Sequence, residues 1–191
     1  MAYPTETEGA DVEILQKVAE ETGYNFDDLW KIYGYESSHG KHPDMNEGIY
    51  QGPFQFDKRL ADSLGIDRYD LYESATAFVK HLEPRKKSLR ENIKNTSGDY
   101  SWIDSLRDNE PALLDYLLHQ QGGKGLARMS LAYDDNYFYY MQREDPIHNV
   151  RYKLLENLKP SQQEHLIKKT RSPKEAIDYY IKVTKENLEN Q

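Results

Sequence analysis

The sequence predicts a mostly helical, α+β fold, on three observations. Apolar residues recur three and four positions apart over most of the 191 residues, the spacing of one buried helix face. One segment, residues 41–57, breaks that period with two prolines and two glycines. Aromatic residues and leucines are spread along the whole chain, which excludes low-complexity disorder.

Asp11–Thr22 carries Val12, Ile14, Leu15, Val18 and Ala19 on one face, and Gly23 is a natural C-terminal stop. A second helix begins near Asn25–Asp27, sets Phe26, Leu29, Trp30 and Tyr33 on its apolar side, runs into Glu36 and ends by Gly40. Residues 41–57 read as a loop with a short hairpin around Ile49–Phe56. Helix resumes over Lys58–Leu64. Asp70–Asn95 is a long helical segment that Pro84 must kink or divide. Asn109 is expected to cap the next helix, with Pro111 in its first turn, a stripe of Leu113, Leu114, Leu117 and Leu118, and an end at Gly122–Gly123. Ser172-Pro173-Lys174-Glu175 is a helix start with a capping box, and that helix should run to about Glu189. There is no internal repeat and no long linker. Residues 1–191 therefore read as one domain, with an acidic N-terminal segment 1–24 and a C-terminal helix 172–190.

Composition narrows the chemistry. The absence of cysteine excludes disulfides, thiolate nucleophiles and zinc–cysteine sites. The net charge is -8. Residues 1–30 hold eight acids and one base, leaving the rest nearly balanced. Nucleic-acid binding needs a cationic footprint and is disfavoured. The basic runs Arg85–Lys87 with Arg90 and Lys168–Lys174 read as solvated helix faces. No stretch approaches a membrane span, and MAYPTETEGAD lacks the basic and apolar regions of a signal peptide. The 16 tyrosines supply apolar area with a polar tip, suited to a core that meets a wet groove.

Four polar segments stand out together: Glu36-Ser37-Ser38, Gly52-Pro53-Phe54-Gln55-Phe56, His119-Gln120-Gln121-Gly122 and Tyr179-Tyr180-Ile181-Lys182-Val183. In order and spacing the set resembles the lytic transglycosylases of the lysozyme-like superfamily, the soluble lytic type in bacteriophage-encoded form, over roughly residues 25–185. Glu36 and Ser37 match that family's Glu-Ser pair at a helix end. Gly52 and Gln55 match the ends of its Gly-Leu-Met-Gln motif. Its preceding serine falls near Asn46, a departure, although asparagine can still hydrogen-bond a sugar acetamido group. Gln120 takes the asparagine place of Ala-Tyr-Asn-x-Gly, with His119 beside it. Tyr179 matches the final tyrosine if Lys182-Val183 anchor the motif, and Tyr180 is an equal neighbour.

The resemblance implies a lysozyme-like helical domain with a small β-hairpin beside the active-site groove, no cofactor and no metal. It implies cleavage of the β-1,4 bond between N-acetylmuramic acid and N-acetylglucosamine in bacterial peptidoglycan, with a 1,6-anhydro product. Glu36 would be the acid/base. Ser37, Asn46, Gln55, His119, Gln120, Tyr179 and Tyr180 would meet the glycan. Glycosidic cleavage needs an acid to protonate the leaving oxygen, and aromatic surroundings such as those of Glu36 favour a protonated carboxyl near neutral pH.

Two rivals stand beside this reading. A goose-type lysozyme would use Asp44 or Glu47 to position water. A peptidoglycan-docking or structural virion protein would be catalytically idle. Tyr133, Tyr137 and Tyr140 align on a helical spacing and either pack a core or form a sugar-stacking wall. His39 and His42 beside Asp44 make a weak metal motif, and Gly122-Gly123-Lys124-Gly125 lacks the strand and spacing of a phosphate loop. Without a signal peptide, a protein made in the cytoplasm would reach the wall through a holin, as an endolysin does, or be carried in the virion.

Overall fold

The computed structural model describes residues 6–42, 45–95, 98–133, 154 and 158–189. Among them are eight helices and one two-stranded antiparallel sheet, an α+β fold that is mostly helix. The elements are α1 (Glu6–Thr22), α2 (Phe26–Ser37), β1 (Tyr50–Gln51), β2 (Phe56–Asp57), α3 (Lys58–Leu64), α4 (Leu71–Lys94), α5 (Ser101–Asn109), α6 (Pro111–Tyr133), α7 (Pro160–Lys169) and α8 (Pro173–Glu189). No described helix is long and apolar enough to cross a membrane. The chain divides into two compact units, Met1–Glu83 with Leu188–Gln191, and Pro84–Asn187.

In the first unit, α1 packs on α2 through Leu15, Val18, Leu29 and Ile32, all fully buried. Helix α1 starts earlier than the expected Asp11, at Glu6, and runs through Gly9. Asn25 caps α2 by accepting from the Asp28 amide at 3.0 Å, which satisfies one of the helix's orphan donors. Asp57 does the same for α3, accepting from Leu60. The sheet pairs Tyr50 with Asp57 and Gln51 with Phe56.

The second unit departs from the sequence reading at Asn109 and at Gly122. Ser101–Asn109 is a helix that was not expected, and Asn109 ends it rather than capping the next. Its side chain donates to the Ser105 carbonyl. Glu110 alone separates α5 from α6, and its carbonyl accepts the first bond of α6, from Leu114. Gly122 does break α6, at φ 67° and ψ 166°, yet the helix resumes at Gly123 and continues to Tyr133. Proline does not divide α4, which stays one helix with Pro84 inside it.

At the start of α8, Ser172 Oγ accepts from the Glu175 amide at 3.1 Å. The Glu175 carboxylate accepts from Arg171, one residue before the position a capping box requires. The run Arg85–Lys87 is not simply a solvated face. Arg85 and Lys86 are half-buried, and Lys86 pairs at 2.9 Å with the buried Asp115.

Candidate active site

Glu36 sits half-buried in the last turn of α2. The chain then leaves the helix through three successive left-handed residues, Ser38, His39 and Gly40, at φ 51°, 53° and 73°. Two of them carry side chains, an arrangement that costs roughly 1–2 kcal/mol per residue. What holds it is on both sides. The Ser38 amide donates to Gly34 O at 2.7 Å, and the His42 amide to Ser37 O at 2.9 Å. Ser37, fully buried, donates its hydroxyl to Tyr33 O and accepts from the Gly40 amide, both at 3.0 Å. The His39 ring stacks on Trp30, centroids 4.1 Å apart. Ser37 thus braces the turn after Glu36, and its one hydroxyl proton is spent on backbone.

Backbone bonds lead from this turn to the hairpin. Met45 donates to His42 O at 3.1 Å, and Gly52 donates to Met45 O at 3.0 Å. Gln55 joins at the same acceptor. Its Nε2 donates to Met45 O at 3.1 Å and to Gly52 O at 2.8 Å. Both amide hydrogens are used there, so Oε1 is the atom left for a ligand. Gln55 is the third non-glycine residue with positive φ, at 51°. All three such residues among those described therefore lie in the Glu36 turn and the hairpin loop. Phe54, fully buried, stacks on Tyr33 and Phe78 at 5.9 and 5.2 Å and fastens the loop to α2 and α4. The Tyr33 hydroxyl donates to Asp11 at 2.8 Å. Burial first, and then that carboxylate, hold its phenol well above the ordinary value.

Arg68, which no motif pointed to, clamps the hairpin. Nη1 donates to Ile49 O and Phe56 O, both at 3.2 Å, and Nη2 to Gln51 Oε1 and the Tyr69 hydroxyl. Four donors in a fixed fork meet both strands and the loop at once. Asn46 and Glu47 are exposed in the loop before β1. Asp44, one of the three residues of the metal motif, lies outside the described residues, as do Tyr137 and Tyr140.

The second unit brings the third and fourth motifs together across 60 residues of sequence. Tyr180, fully buried, donates its hydroxyl to Gln120 Oε1 at 2.5 Å and accepts from Gln121 Nε2 at 3.2 Å. Gln120 Nε2 donates to the Tyr116 hydroxyl at 2.5 Å. Tyr179 instead stacks on His165, centroids 4.2 Å apart, so the two neighbouring tyrosines have different surroundings. Tyr180→Phe should lower stability by about 1–3 kcal/mol, because it strands two partly buried amide groups. Tyr179→Phe should change it little. Urea unfolding of the pair checks this, and equal midpoints would mean the network contributes nothing.

His119 lies beside Gln120. The Arg85 Nη1 donates to His119 O at 2.8 Å and lies 3.1 Å from its Nδ1. A guanidinium only donates, so Nδ1 accepts and the ring proton sits on Nε2. Burial pushes the Arg85 side chain down to about 10. Beyond the kink, a Cβ on Gly123 would stand 2.5 Å from the Leu89 amide nitrogen, so only glycine lets α6 cross α4 there. Tyr133 donates to Asp178 at 2.8 Å under the Lys174 ammonium, and burial with that carboxylate raises its phenol to about 12.

No protein-family model matches the chain, and neither a curated protein nor a solved structure matches it.

Proposed function

We propose that the protein is a peptidoglycan lytic transglycosylase with Glu36 as its single acid/base. The observation that carries this reading is the bonded path from Glu36's helix end to the Gly52–Gln55 loop, with every positive-φ non-glycine residue among those described on it. Backbone strain of that kind persists where the surroundings over-determine it, and it collects at working sites. The meeting of Gln120 with Tyr180 supports the same set of motifs independently.

Glu36 donates its proton to the glycosidic oxygen as the bond to the muramoyl anomeric carbon breaks. The carboxylate then takes a proton from that sugar's own 6-hydroxyl, whose oxygen closes on the anomeric carbon. One proton leaves Glu36 and one returns, and no water is consumed. Gln55, through Oε1, and Asn46 are proposed to contact the glycan, Ser37 acts by holding the turn, and the fully buried Tyr180 braces Gln120 within the second unit.

The products test the mechanism. Muropeptides released from purified walls should carry anhydro ends and be about 18 mass units lighter than hydrolysed ones. Asp44→Asn and Glu47→Gln should each leave the rate within a few-fold. Mass spectrometry showing mostly reducing ends, with a large loss in either variant, would assign the chemistry to a lysozyme-type hydrolase instead.

A further inference from the structure

Among the described residues, three of the five exposed large hydrophobic side chains, Ile49, Tyr50 and Tyr69, lie at the hairpin and the loop that clamps it, with exposures of 73%, 57% and 51%. Tyr69 is not loose. Its hydroxyl donates to Gln51 Oε1 at 2.5 Å and accepts from Arg68 Nη2 at 3.0 Å, and the guanidinium carbon stands 5.1 Å from its ring centroid. One side of the ring is therefore fixed against protein while half the residue faces solvent. Arg68 also holds the Ile49 carbonyl, which ties the backbone of that exposed residue to the same clamp. Strand alternation puts Tyr50 on the opposite face of the ribbon from Gln51.

We infer that Tyr69 and Ile49, braced by Arg68 and Gln51, form a carbohydrate-binding platform that holds the peptidoglycan glycan strand through one sugar ring. The proposal rests on the Glu36 reading and extends it to residues outside the four motifs. Size favours a sugar over a protein partner. Two side chains and a guanidinium fall far short of the ~800 Å² per side of a stable protein interface, yet match one pyranose. A pyranose presents a C–H face that packs on an aromatic ring and an aliphatic neighbour. The preset ring loses little freedom on binding.

The test uses the full chain carrying Glu36→Gln, so that the wall is not consumed, in co-sedimentation with purified sacculi. Adding Tyr69→Ala with Ile49→Ser should weaken binding about tenfold. Tyr50→Ala, equally exposed on the other face, should leave it unchanged, and circular dichroism should show all variants folded. Unchanged binding by the double variant, or an equal loss in Tyr50→Ala, overturns the platform and leaves the Glu36 reading standing. Sustained cleavage by Glu36→Gln overturns the Glu36 reading instead, while a selective loss in the double variant would still support the platform.

Discussion

Glu36→Gln should abolish glycan cleavage and leave the fold intact. The amide keeps the size of the carboxyl and its place in the last turn of α2, but it has no proton to give the leaving oxygen. General acid catalysis is typically worth ~10²–10⁴-fold, and in the proposed mechanism the same group also takes the proton back from the 6-hydroxyl, so both halves of the reaction should fail together. The surrounding turn should hold, because its bonds from Ser38, Ser37 and His42 are made by backbone and by the Ser37 hydroxyl. Turbidity clearing of purified walls reads the activity and thermal unfolding reads the fold. A folded Glu36→Gln protein that clears walls at the wild-type rate would remove Glu36 from the mechanism.

The largest expected loss of stability is at Gly52. Its φ is 82°, and a Cβ there would fall on the Arg68 carbonyl oxygen, well inside contact distance and against backbone that has no flexible end to move. Gly52→Ala therefore combines left-handed strain of about 1–2 kcal/mol with overpacking of about 1–3 kcal/mol. It should lower stability by roughly 2–5 kcal/mol and displace Arg68 from the hairpin. Gly48→Ala is the comparison, since Gly48 has a similar φ of 79° and open space around its Cβ position. Its cost should be limited to the backbone strain. Denaturant titration separates the two, and equal losses would show that crowding by Arg68 contributes nothing.

Local signals carried most of the elements. Asn25, the Gly23 stop and the Ser172-Pro173 start are decided within a few residues, so their helices were readable from sequence. The short hairpin was readable too, because two prolines and two glycines leave few alternatives over residues 41–57. What failed needed information from further along the chain. Asn109 looks like an N-cap, but Trp102, Ile103 and Leu106 bury a face against α6 and extend helix up to it. Gly122-Gly123 looks like a stop, but the second glycine is there for a close crossing with α4.

The site divides in the same way. Glu36, Gln55, Gln120 and Tyr180 stand in the sequence as a spaced set of polar residues, of which the structure joins Gln120 to Tyr180. Arg68 was not, because its four bonds reach residues 12 to 19 positions away and one adjacent hydroxyl, and a lone arginine in a loop has no motif. Nor could the sequence separate Tyr179 from Tyr180. Adjacent helix residues point about 100° apart, and only the packing of α8 shows which one reaches Gln120.

The hairpin ladder is only two residues long on each strand, far below what an isolated ribbon needs to persist in water. Its lifetime is therefore set elsewhere, by one guanidinium gripping Ile49, Gln51 and Phe56 together. In the language of amide exchange, the Gly52 and Gln55 protons should belong to one opening unit with those residues and share a similar protection factor. They do not fray inward from an end. The Gly52–Gln55 turn should then open or stay shut as a whole, on the timescale at which Arg68 lets go.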